Sequence, residues 1–189
     1  IADARNQALD LPQEHYSDSL DYRLIRVRAE THFQKNPLQA IEIYRERLRD
    51  QPNDTAANYG LAISLSKNDQ HEEALDRVES LLNINPQSIL YNGAFAELLI
   101  AADQTNLARD LLKHQLVINP DNWPLSRLYA EALNKLGLHE EAEAVLERQS
   151  KTHPIDVDVW FELAETAGLA GNITGVHLER AEYFYLRGS

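Results

Sequence analysis

The sequence predicts an all-α fold built from about five repeated helix–turn–helix units, and four periodic series of residues support this prediction. The alanines recur in two series, Ala40, Ala74, Ala108 and Ala142, then Ala62, Ala96, Ala130 and Ala164. The prolines recur with the same interval of 34 residues, at Pro52, Pro86, Pro120 and Pro154. Large apolar residues keep the same phase, as in Leu65, Leu99 and Leu133. A fixed interval of roughly 20 to 50 residues is typical of a chain made of similar small units.

Each residue type has a physical reason to occupy its place in the period. Two antiparallel helices cross closely where both present a methyl group, which Ala62 and Ala74 supply in the second unit. Large apolar residues fill the space between neighbouring hairpins. Each proline ends a unit, because it lacks the backbone donor and disfavours helical geometry in the residue before it. Polar residues suited to a helix N-terminus then open the next unit: Asn53-Asp54, Ser88, Asp121 and Asp156.

This period and residue order resemble the tetratricopeptide repeat, a helix–turn–helix unit in which helix A and helix B form a hairpin. The fourth unit shows the pattern in Tyr129-Ala130, Leu133, Gly137, Ala142, Leu146 and Pro154. The resemblance implies a right-handed superhelical solenoid. We expect an N-terminal lead-in at 1–17 and repeats over 18–172, approximately 21–52, 55–86, 89–120, 123–154 and 157–172. The remainder, 173–189, is expected to be an irregular C-terminal helix or the start of a further unit.

The first unit departs from the pattern at its small-residue position. Arg28 occupies that position, and Ala29 follows it. The separation between Ala29 and Ala40 is 11 residues, against 12 between Ala62 and Ala74. We therefore expect the first A-to-B turn to be one residue short.

The last unit departs from the pattern at the alanine that should open helix B, where Val176 stands instead. An apolar stripe follows on the same predicted helix: Leu178, Ala181, Phe184 and Tyr185. The C-terminal part of this helix, Tyr183-Phe184-Tyr185-Leu186, is expected to belong to the core, and the alternative is that it mediates a homodimer.

Charge and composition exclude several classes of protein. The 189 residues include 18 Lys and Arg against 30 Asp and Glu, which gives a formal charge of −12 at pH 7. A negative chain repels phosphate backbones, so we expect no nucleic-acid binding. No run reaches the roughly 18 apolar residues that a membrane span requires. The chain contains no cysteine, which excludes disulfides, thiolate nucleophiles and cysteine-ligated zinc.

The seven histidines raise a metal-site hypothesis, which their spacing argues against. The segments beginning at His71 and His139 each continue Glu-Glu-Ala, superficially like the helix of a zinc protease. Such a helix requires a second histidine four residues after the first, so that both rings share a face. Those positions hold Leu75 and Glu143. We expect both histidines in A-to-B turns, and we predict no catalytic, metal or cofactor-binding residue in this chain.

The A helices of such a solenoid line its concave face. This face is interpreted as a groove for proteins or peptides with apolar anchors and paired polar groups. An ordinary solvated surface is the alternative. The candidate residues on family spacing are Tyr59, Ile63, Ser66, Lys67, Glu97, Ile100, Arg127, Glu131, Asn134, Phe161 and Glu165.

Two flanking segments resemble bacterial M48-type zinc metalloproteases that carry a C-terminal tetratricopeptide domain. The segment Ile1-Ala2-Asp3-Ala4-Arg5-Asn6 resembles the end of their catalytic domain, and the segment from Glu179 to Gly188 resembles the late part of their repeat domain. The chain contains no methionine, so we expect a fragment that lacks its export signal. The resemblance implies a periplasmic protease of outer-membrane protein assembly and quality control, with its zinc-binding His-Glu-x-x-His helix upstream of Ile1.

That resemblance also implies partners: the outer-membrane assembly machinery, unfolded outer-membrane proteins, and the protease domain in cis. The chain itself would be a non-catalytic scaffold that holds a partner near the active site and raises its effective concentration. The other interpretation is a free-standing tetratricopeptide adaptor in secretion, envelope assembly or signalling.

Overall fold

The computed structural model describes residues 19–188, so the lead-in predicted at 1–17 lies outside the described part. The chain divides into two compact units, Ile1–Leu81 and Leu82–Ser189. The described part of the first unit contains α1 to α3 and most of α4, and that of the second contains α5 to α10. The helices are α1 Leu20–Phe33, α2 Pro37–Asp50, α3 Thr55–Ser66, α4 His71–Ile84, α5 Ile89–Ala101, α6 Thr105–Ile118, α7 Trp123–Lys135, α8 His139–Thr152, α9 Val157–Leu169 and α10 Ile173–Arg187.

The helices form five successive hairpins, with α1, α3, α5, α7 and α9 as the A helices. Between residues 19 and 188 the chain contains no strand. The predicted all-α class with about five helix–turn–helix units is therefore confirmed. None of the ten described helices is both long enough and apolar enough to cross a bilayer.

The A helices begin at capping residues that repeat with the same interval of 34 as the prolines. The side chains of Asp54, Ser88, Asn122 and Asp156 each accept a hydrogen bond from a backbone N–H in the first turn that follows. Such a bond satisfies one of the donors that a helix N-terminus leaves without a partner. The fourth repeat is capped by Asn122, one residue after Asp121, which the sequence suggested.

Both alanine series lie inside the packed interior, as the close helix crossings require. In the second repeat, which lies in the first compact unit, Ala62 and Ala74 are fully buried, and the core residues of this repeat include Leu61, Leu65 and Val78. In the fourth repeat, which lies in the second compact unit, Ala130 and Ala142 belong to one apolar cluster with three leucines: Leu133, Leu146 and Leu163. Burial of each large aliphatic side chain stabilises the fold by about 1.5–3 kcal/mol.

The turn that joins helix A to helix B uses a left-handed residue at four positions spaced by 34. Gly137 and Gly171 have φ of 75° and 77°, and Asp69 and Asp103 have φ of 59° and 58°. Glycine adopts this region without a steric cost, and aspartate is among the few other residues that tolerate it. The turn geometry is thus kept in four repeats, although only two of these repeats contain the glycine that the family pattern prefers.

Exchanging these turn residues should change stability in opposite directions. We expect Asp103→Gly to raise the free energy of unfolding by about 0.5–1 kcal/mol, because glycine relieves the left-handed strain. We expect Gly137→Asp to lower it by a similar amount, since a Cβ on Gly137 would meet no atom within 4 Å and only the backbone penalty remains. Urea denaturation of both variants provides the measurement. A loss of stability in Asp103→Gly would show that its carboxylate contributes more than the strain costs.

The first A-to-B turn is not shortened, which corrects the expectation drawn from Ala29. The connection between α1 and α2 covers residues 34–36, as long as the connections at 102–104 and 136–138. Ala29 is exposed, and Arg28 occupies the small-residue position with the repeat phase intact. The guanidinium of Arg28 donates a hydrogen bond of 3.2 Å to the Tyr59 hydroxyl. The helix crossing therefore tolerates a long side chain because its charged end extends out to a polar partner.

The C-terminal helix is regular, in contrast to the irregular helix expected at 173–189. Helix α10 starts at Ile173, is followed by Gly188 in the left-handed region, and packs on α9 as the second helix of the fifth hairpin. Gly168 of α9 lies opposite Val176, whose Cγ2 would be 3.6 Å from a Cβ built on the glycine. The missing side chain on α9 thus leaves room for the larger residue on α10.

Candidate protein-binding surface

In the first unit, two of the four predicted face residues connect α3 to α1. Tyr59 is fully buried, and its hydroxyl accepts the hydrogen bond from Arg28. The ammonium group of Lys67 donates to the backbone carbonyl of Thr31 in α1. Ile63 and Ser66 are half-buried. The exposed part of this face is therefore small in the first unit and consists of Lys67 with parts of Ile63 and Ser66.

In the second unit, the predicted residues on α5 are the least accessible. Ile100 is buried, with 3% of its surface exposed, and its carbonyl accepts a hydrogen bond of 3.5 Å from Lys135. Glu97 is half-buried. Tyr59 and Ile100, both candidates for the concave face, are thus buried in the fold, and whether the candidate residues bind a partner stays a prediction. Family spacing gives the direction in which a side chain points, but the exposed fraction of that side chain depends on which neighbouring helices cover it.

The predicted residues on α7 meet partners on α9. Arg127 lies 3.8 Å from Glu162, measured from Nη1 to Oε1. The side-chain amide of Asn134 donates a hydrogen bond of 3.0 Å to the Thr166 hydroxyl. On its other side Asn134 Oδ1 lies 3.0 Å from Nδ1 of His139. These contacts fix the orientation of α7 side chains against the neighbouring A helix.

The predicted residues on α9 in turn meet α10. Glu165 accepts a hydrogen bond of 3.2 Å from Arg180. The rings of Phe161 and Tyr183 lie 5.6 Å apart between centroids, within the range of favourable aromatic pairs. Phe161 is 47% exposed, so this pair offers an apolar contact at the surface.

Sequence reasoning missed four partners of the predicted residues: Glu162, Thr166, Arg180 and Tyr183. A search for opposite charges about one repeat apart would have found Glu162, which follows Arg127 by 35 residues. Arg180 and Tyr183 lie on α10, whose packing on α9 depends on the unusual Gly168 and Val176 pairing and had no signal in the family pattern.

Three glutamates occupy the same repeat position on α5, α7 and α9, and we call Glu97, Glu131 and Glu165 the acidic row. Consecutive helices of this set contact each other within the second unit. Glu162 stands beside the row. Its pKa is raised above the ordinary 4.5 by burial, and the charges of Glu131 and Glu165 raise it further while Arg127 lowers it. Here the carboxylates of the acidic row and Glu162 outnumber the guanidinium groups of Arg127 and Arg180, which favours a cation at this surface.

The raised pKa of Glu162 predicts a specific pH dependence of stability. Because the folded state holds this proton more tightly than the unfolded state, its contribution is most favourable below pH 4.5 and is lost as pH rises through the raised pKa. We expect Glu162→Gln to stabilise the protein relative to the parent as pH rises from about 4.5 to 7. Urea denaturation across that range measures the difference, with the exposed Glu140→Gln as control. A less stable variant at pH 7 would mean that pairing with Arg127 dominates.

The two histidines that raised a metal-site hypothesis begin helices α4 and α8. His139 is held by Asn134 as described above, and His71 Nε2 lies 3.8 Å from a carboxylate oxygen of Asp69. Among residues 19–188 no three histidine, aspartate or glutamate side chains come together in a way that could hold a metal ion.

Comparison with known proteins agrees with this fold. The family described as Tetratricopeptide repeat matches residues 34–98 and 99–164, which together exceed half of the chain. The chain therefore belongs to the tetratricopeptide repeat family, and its all-α fold of about five units is the solenoid class of that family.

Solved structures of other repeat proteins resemble it over nearly their whole length. TTC0263, a thermophilic TPR protein of Thermus thermophilus, is 20% identical, with 88% of this chain and 90% of that chain covered and a TM-score of 0.71. MamA from Desulfovibrio magneticus RS-1, residue 41 to its end, is 15% identical over 87% and 95% of the two chains, with a TM-score of 0.66. YrrB, a TPR protein described as having an unusual peptide-binding site, is 16% identical over 100% and 95%, with a TM-score of 0.59. At these identities the likeness shows the fold.

Proposed function

We propose that this chain is a non-catalytic scaffold that binds a basic peptide or flexible protein segment on the A-helix surface of its second unit. Tetratricopeptide domains are protein-interaction scaffolds whose extended surfaces hold peptides or proteins. The observation that supports a basic ligand is the acidic row beside the partly buried Glu162. Carboxylates of one sign on a partly desolvated surface attract lysine and arginine side chains and set their register.

The same surface supplies an apolar contact next to these charges. Phe161 is half exposed against Tyr183, and Glu165 lies one helical turn from Phe161. An extended peptide with alternating basic and apolar residues would place an apolar side chain on this aromatic pair and its charges on the acidic row. The Arg127 guanidinium, held near Glu162, would disfavour a second basic group at that end of the surface.

A peptide-binding experiment tests this proposal. The probe is a fluorescein-labelled peptide Gly-Lys-Phe-Lys-Phe-Lys-Gly, with Gly-Glu-Phe-Glu-Phe-Glu-Gly as the acidic counterpart, measured by fluorescence anisotropy. We expect Glu131→Gln with Glu165→Gln to weaken binding of the basic peptide about tenfold, because each exposed ion pair contributes at most about 1 kcal/mol. The matched control is Glu140→Gln with Glu147→Gln on α8, which are exposed outside the acidic row. Equal affinity for both peptides, or equal losses in both double variants, would contradict the proposal.

We further propose that the chain is the C-terminal repeat domain of a periplasmic M48-type zinc metalloprotease resembling the beta-barrel assembly-enhancing protease. The flanking segments at residues 1–6 and 179–188 support this assignment by their resemblance. Zinc would belong to the upstream catalytic domain, and the partners would be the outer-membrane assembly machinery, unfolded outer-membrane proteins or that domain in cis. The complete coding sequence tests it, since a gene without an upstream His-Glu-x-x-His would overturn the assignment.

A free-standing adaptor in secretion, envelope assembly or signalling is the second candidate. The repeat family and the three solved repeat proteins compared above, which show the fold, are equally compatible with this candidate. Fractionation of the native host, with antibodies to the chain, separates the candidates: a periplasmic band of protease size favours the first, and a band too small to include a protease domain favours the second.

Homodimerisation through the apolar residues of α10 stays a prediction. Phe184 and Tyr185 are 50% and 77% exposed, which corrects the expectation that this segment belongs to the core, and Leu178 on the same helix is 61% exposed. Sedimentation equilibrium of the parent chain and of Leu178→Glu is the test. A monomer at all concentrations for the parent would remove the dimer from consideration.

A further inference from the structure

The second unit contains a cavity on the side of α7 that faces away from the acidic row. It measures about 180 Å³ and lies between α6, α7 and α8. Ser126 and Tyr129 line it from α7, whereas Arg127, Glu131 and Asn134 belong to the protein-binding surface. At 100° per residue these two groups point roughly 140° apart around the helix. The cavity is therefore independent of the site of the proposed function.

The walls of the cavity are mostly apolar and its size suits one side chain. Leu116, Val117, Pro120 and Val145 form much of the lining. The volume is smaller than the roughly 300 Å³ at which pockets for drug-sized ligands begin. It is several times the roughly 30 Å³ that one water molecule occupies in the liquid. An aliphatic side chain of leucine size would fill it.

One buried polar atom in the lining lacks a partner. Gln149 is 1% exposed, and its Nε2 donates a hydrogen bond of 3.4 Å to the carbonyl of Pro120. Its Oε1 is buried without a hydrogen-bond partner among the described residues. The equivalent position is a buried glutamine one repeat earlier, Gln115, and a buried leucine two repeats earlier, Leu81, so the repeat accepts either a polar or an apolar side chain here. A buried acceptor left without a donor is destabilising, and a ligand N–H bonded to it would remove this penalty.

The charged residues in the lining are both cations. Lys113 of α6 and Arg148 of α8 are exposed and line the cavity, and within residues 19–188 neither forms an ion pair. No acidic side chain of the described part lines it. Burial raises the pKa of the Tyr129 phenol, so this lining residue is neutral at pH 7 and adds no negative charge. The nearby charges of Glu141 and Asp110, which are outside the lining, also raise the pKa of Tyr129, so the positive charge is confined to the rim that Lys113 and Arg148 form.

We infer that this cavity, which we call the basic-rim cavity, is a second peptide-binding site, specific for an aliphatic side chain flanked by aspartate or glutamate. The aliphatic group enters between Val117 and Val145. A peptide N–H next to it donates to Gln149 Oε1. The flanking carboxylates pair with Lys113 and Arg148. Its ligand is thus opposite in charge to the ligand of the acidic row, and one scaffold molecule can hold a basic and an acidic segment at the same time.

Chemical-shift mapping of the ¹⁵N-labelled full chain with the acetylated, amidated peptide Gly-Asp-Leu-Asp-Gly tests this inference. We expect the peptide to shift amides near residues 113–129 and 145–149. Two control peptides, Gly-Asp-Ser-Asp-Gly and Gly-Lys-Leu-Lys-Gly, should cause no such shifts. No shifts, shifts confined to the acidic row, or equal shifts from all three peptides would overturn it.

Three variants assign the recognition to individual groups. We expect Arg148→Glu to raise the Kd of Gly-Asp-Leu-Asp-Gly at least about tenfold, since it replaces attraction by repulsion. The exposed Lys151→Glu on the same helix, outside the lining, is the matched control and should change the Kd less than twofold. Gln149→Leu should retain the fold and bind the peptide several-fold more weakly. If Gln149→Leu and Lys151→Glu give the same Kd as the parent and Arg148→Glu does too, the cavity is a packing defect and the inference is wrong. Binding of the basic peptide to the acidic row is measured separately, so either site can fail without the other.

Discussion

Replacing Gly60 by alanine is expected to lower the free energy of unfolding by about 1–3 kcal/mol. A Cβ on Gly60 would lie 2.5 Å from Cζ of Tyr44 and 2.7 Å from Cγ1 of Val27, both shorter than any normal contact. Tyr44 and Val27 are buried, with 3% and 5% of their surfaces exposed, so neither can move aside freely. Gly60 is therefore a point of close approach of α3 to α1 and α2.

The expected sign is informative because alanine alone would act in the opposite direction. Within a helix, alanine is favoured over glycine by about 1 kcal/mol. Gly93 in α5 is the matched control, since a Cβ there would first meet Cδ2 of Leu125 at 3.7 Å, an ordinary contact. We expect Gly93→Ala to raise the free energy of unfolding by up to about 1 kcal/mol. Urea denaturation measures both variants. Equal shifts in the two would show that the close approach at Gly60 relaxes without cost.

Hydrogen exchange adds the location of the effect. Repeat proteins unfold partly unit by unit, because each repeat depends mainly on its neighbours. We therefore expect Gly60→Ala to accelerate exchange of amides in α1 to α3 more than in α7 to α9. Uniform acceleration would indicate that the described repeats unfold as one cooperative body.

The repeat architecture was predictable because its signals are local and recur in register. A proline, two alanines and a capping residue per period determine where each helix begins, ends and crosses its partner. Departures from the period were harder to interpret, because their solution lies in another helix. Arg28 occupies the alanine position with its guanidinium bonded to the Tyr59 hydroxyl of the next A helix. Val176 lies opposite Gly168 of α9, which presents no side chain to it.

The sequence predicts which side chains point toward the candidate surface, but it does not predict how deeply each one is buried. Periodicity named Arg127, Asn134 and Glu165 as candidates, and in the structure each contacts the next helix, but periodicity could not reveal that Ile100 is buried. Burial depends on the lengths of side chains contributed by neighbouring repeats, which differ from unit to unit. The basic-rim cavity gave no sequence signal either, because its lining comes from three helices and its polar atom, on Gln149, would be read as a surface residue.

The paired alanines give the second large expected effect, which tests the helix crossing itself. Ala142 of α8 is fully buried in the cluster that contains Ala130, and we expect Ala142→Leu to lower the free energy of unfolding by about 1–3 kcal/mol through overpacking. The control is Ala144→Leu, two residues along the same helix and exposed. Because alanine and leucine have similar helix propensities, this control should change stability by less than about 0.5 kcal/mol.

The fifth hairpin shows why the effect at Ala142 should depend on size. Its equivalent residue is Val176, and the facing position on α9 is Gly168, where the fourth hairpin has Asn134. A larger side chain on one helix of this crossing therefore needs a smaller one on the other. In the fourth hairpin α7 carries Asn134, whose amide bonds to Thr166, so α8 has less room for a large side chain. We therefore expect Ala142→Val to destabilise less than Ala142→Leu, and both to disturb the Asn134 contact. Thermal unfolding ranks the three variants, and an Ala142→Leu protein as stable as Ala144→Leu would show that α7 and α8 can separate without loss.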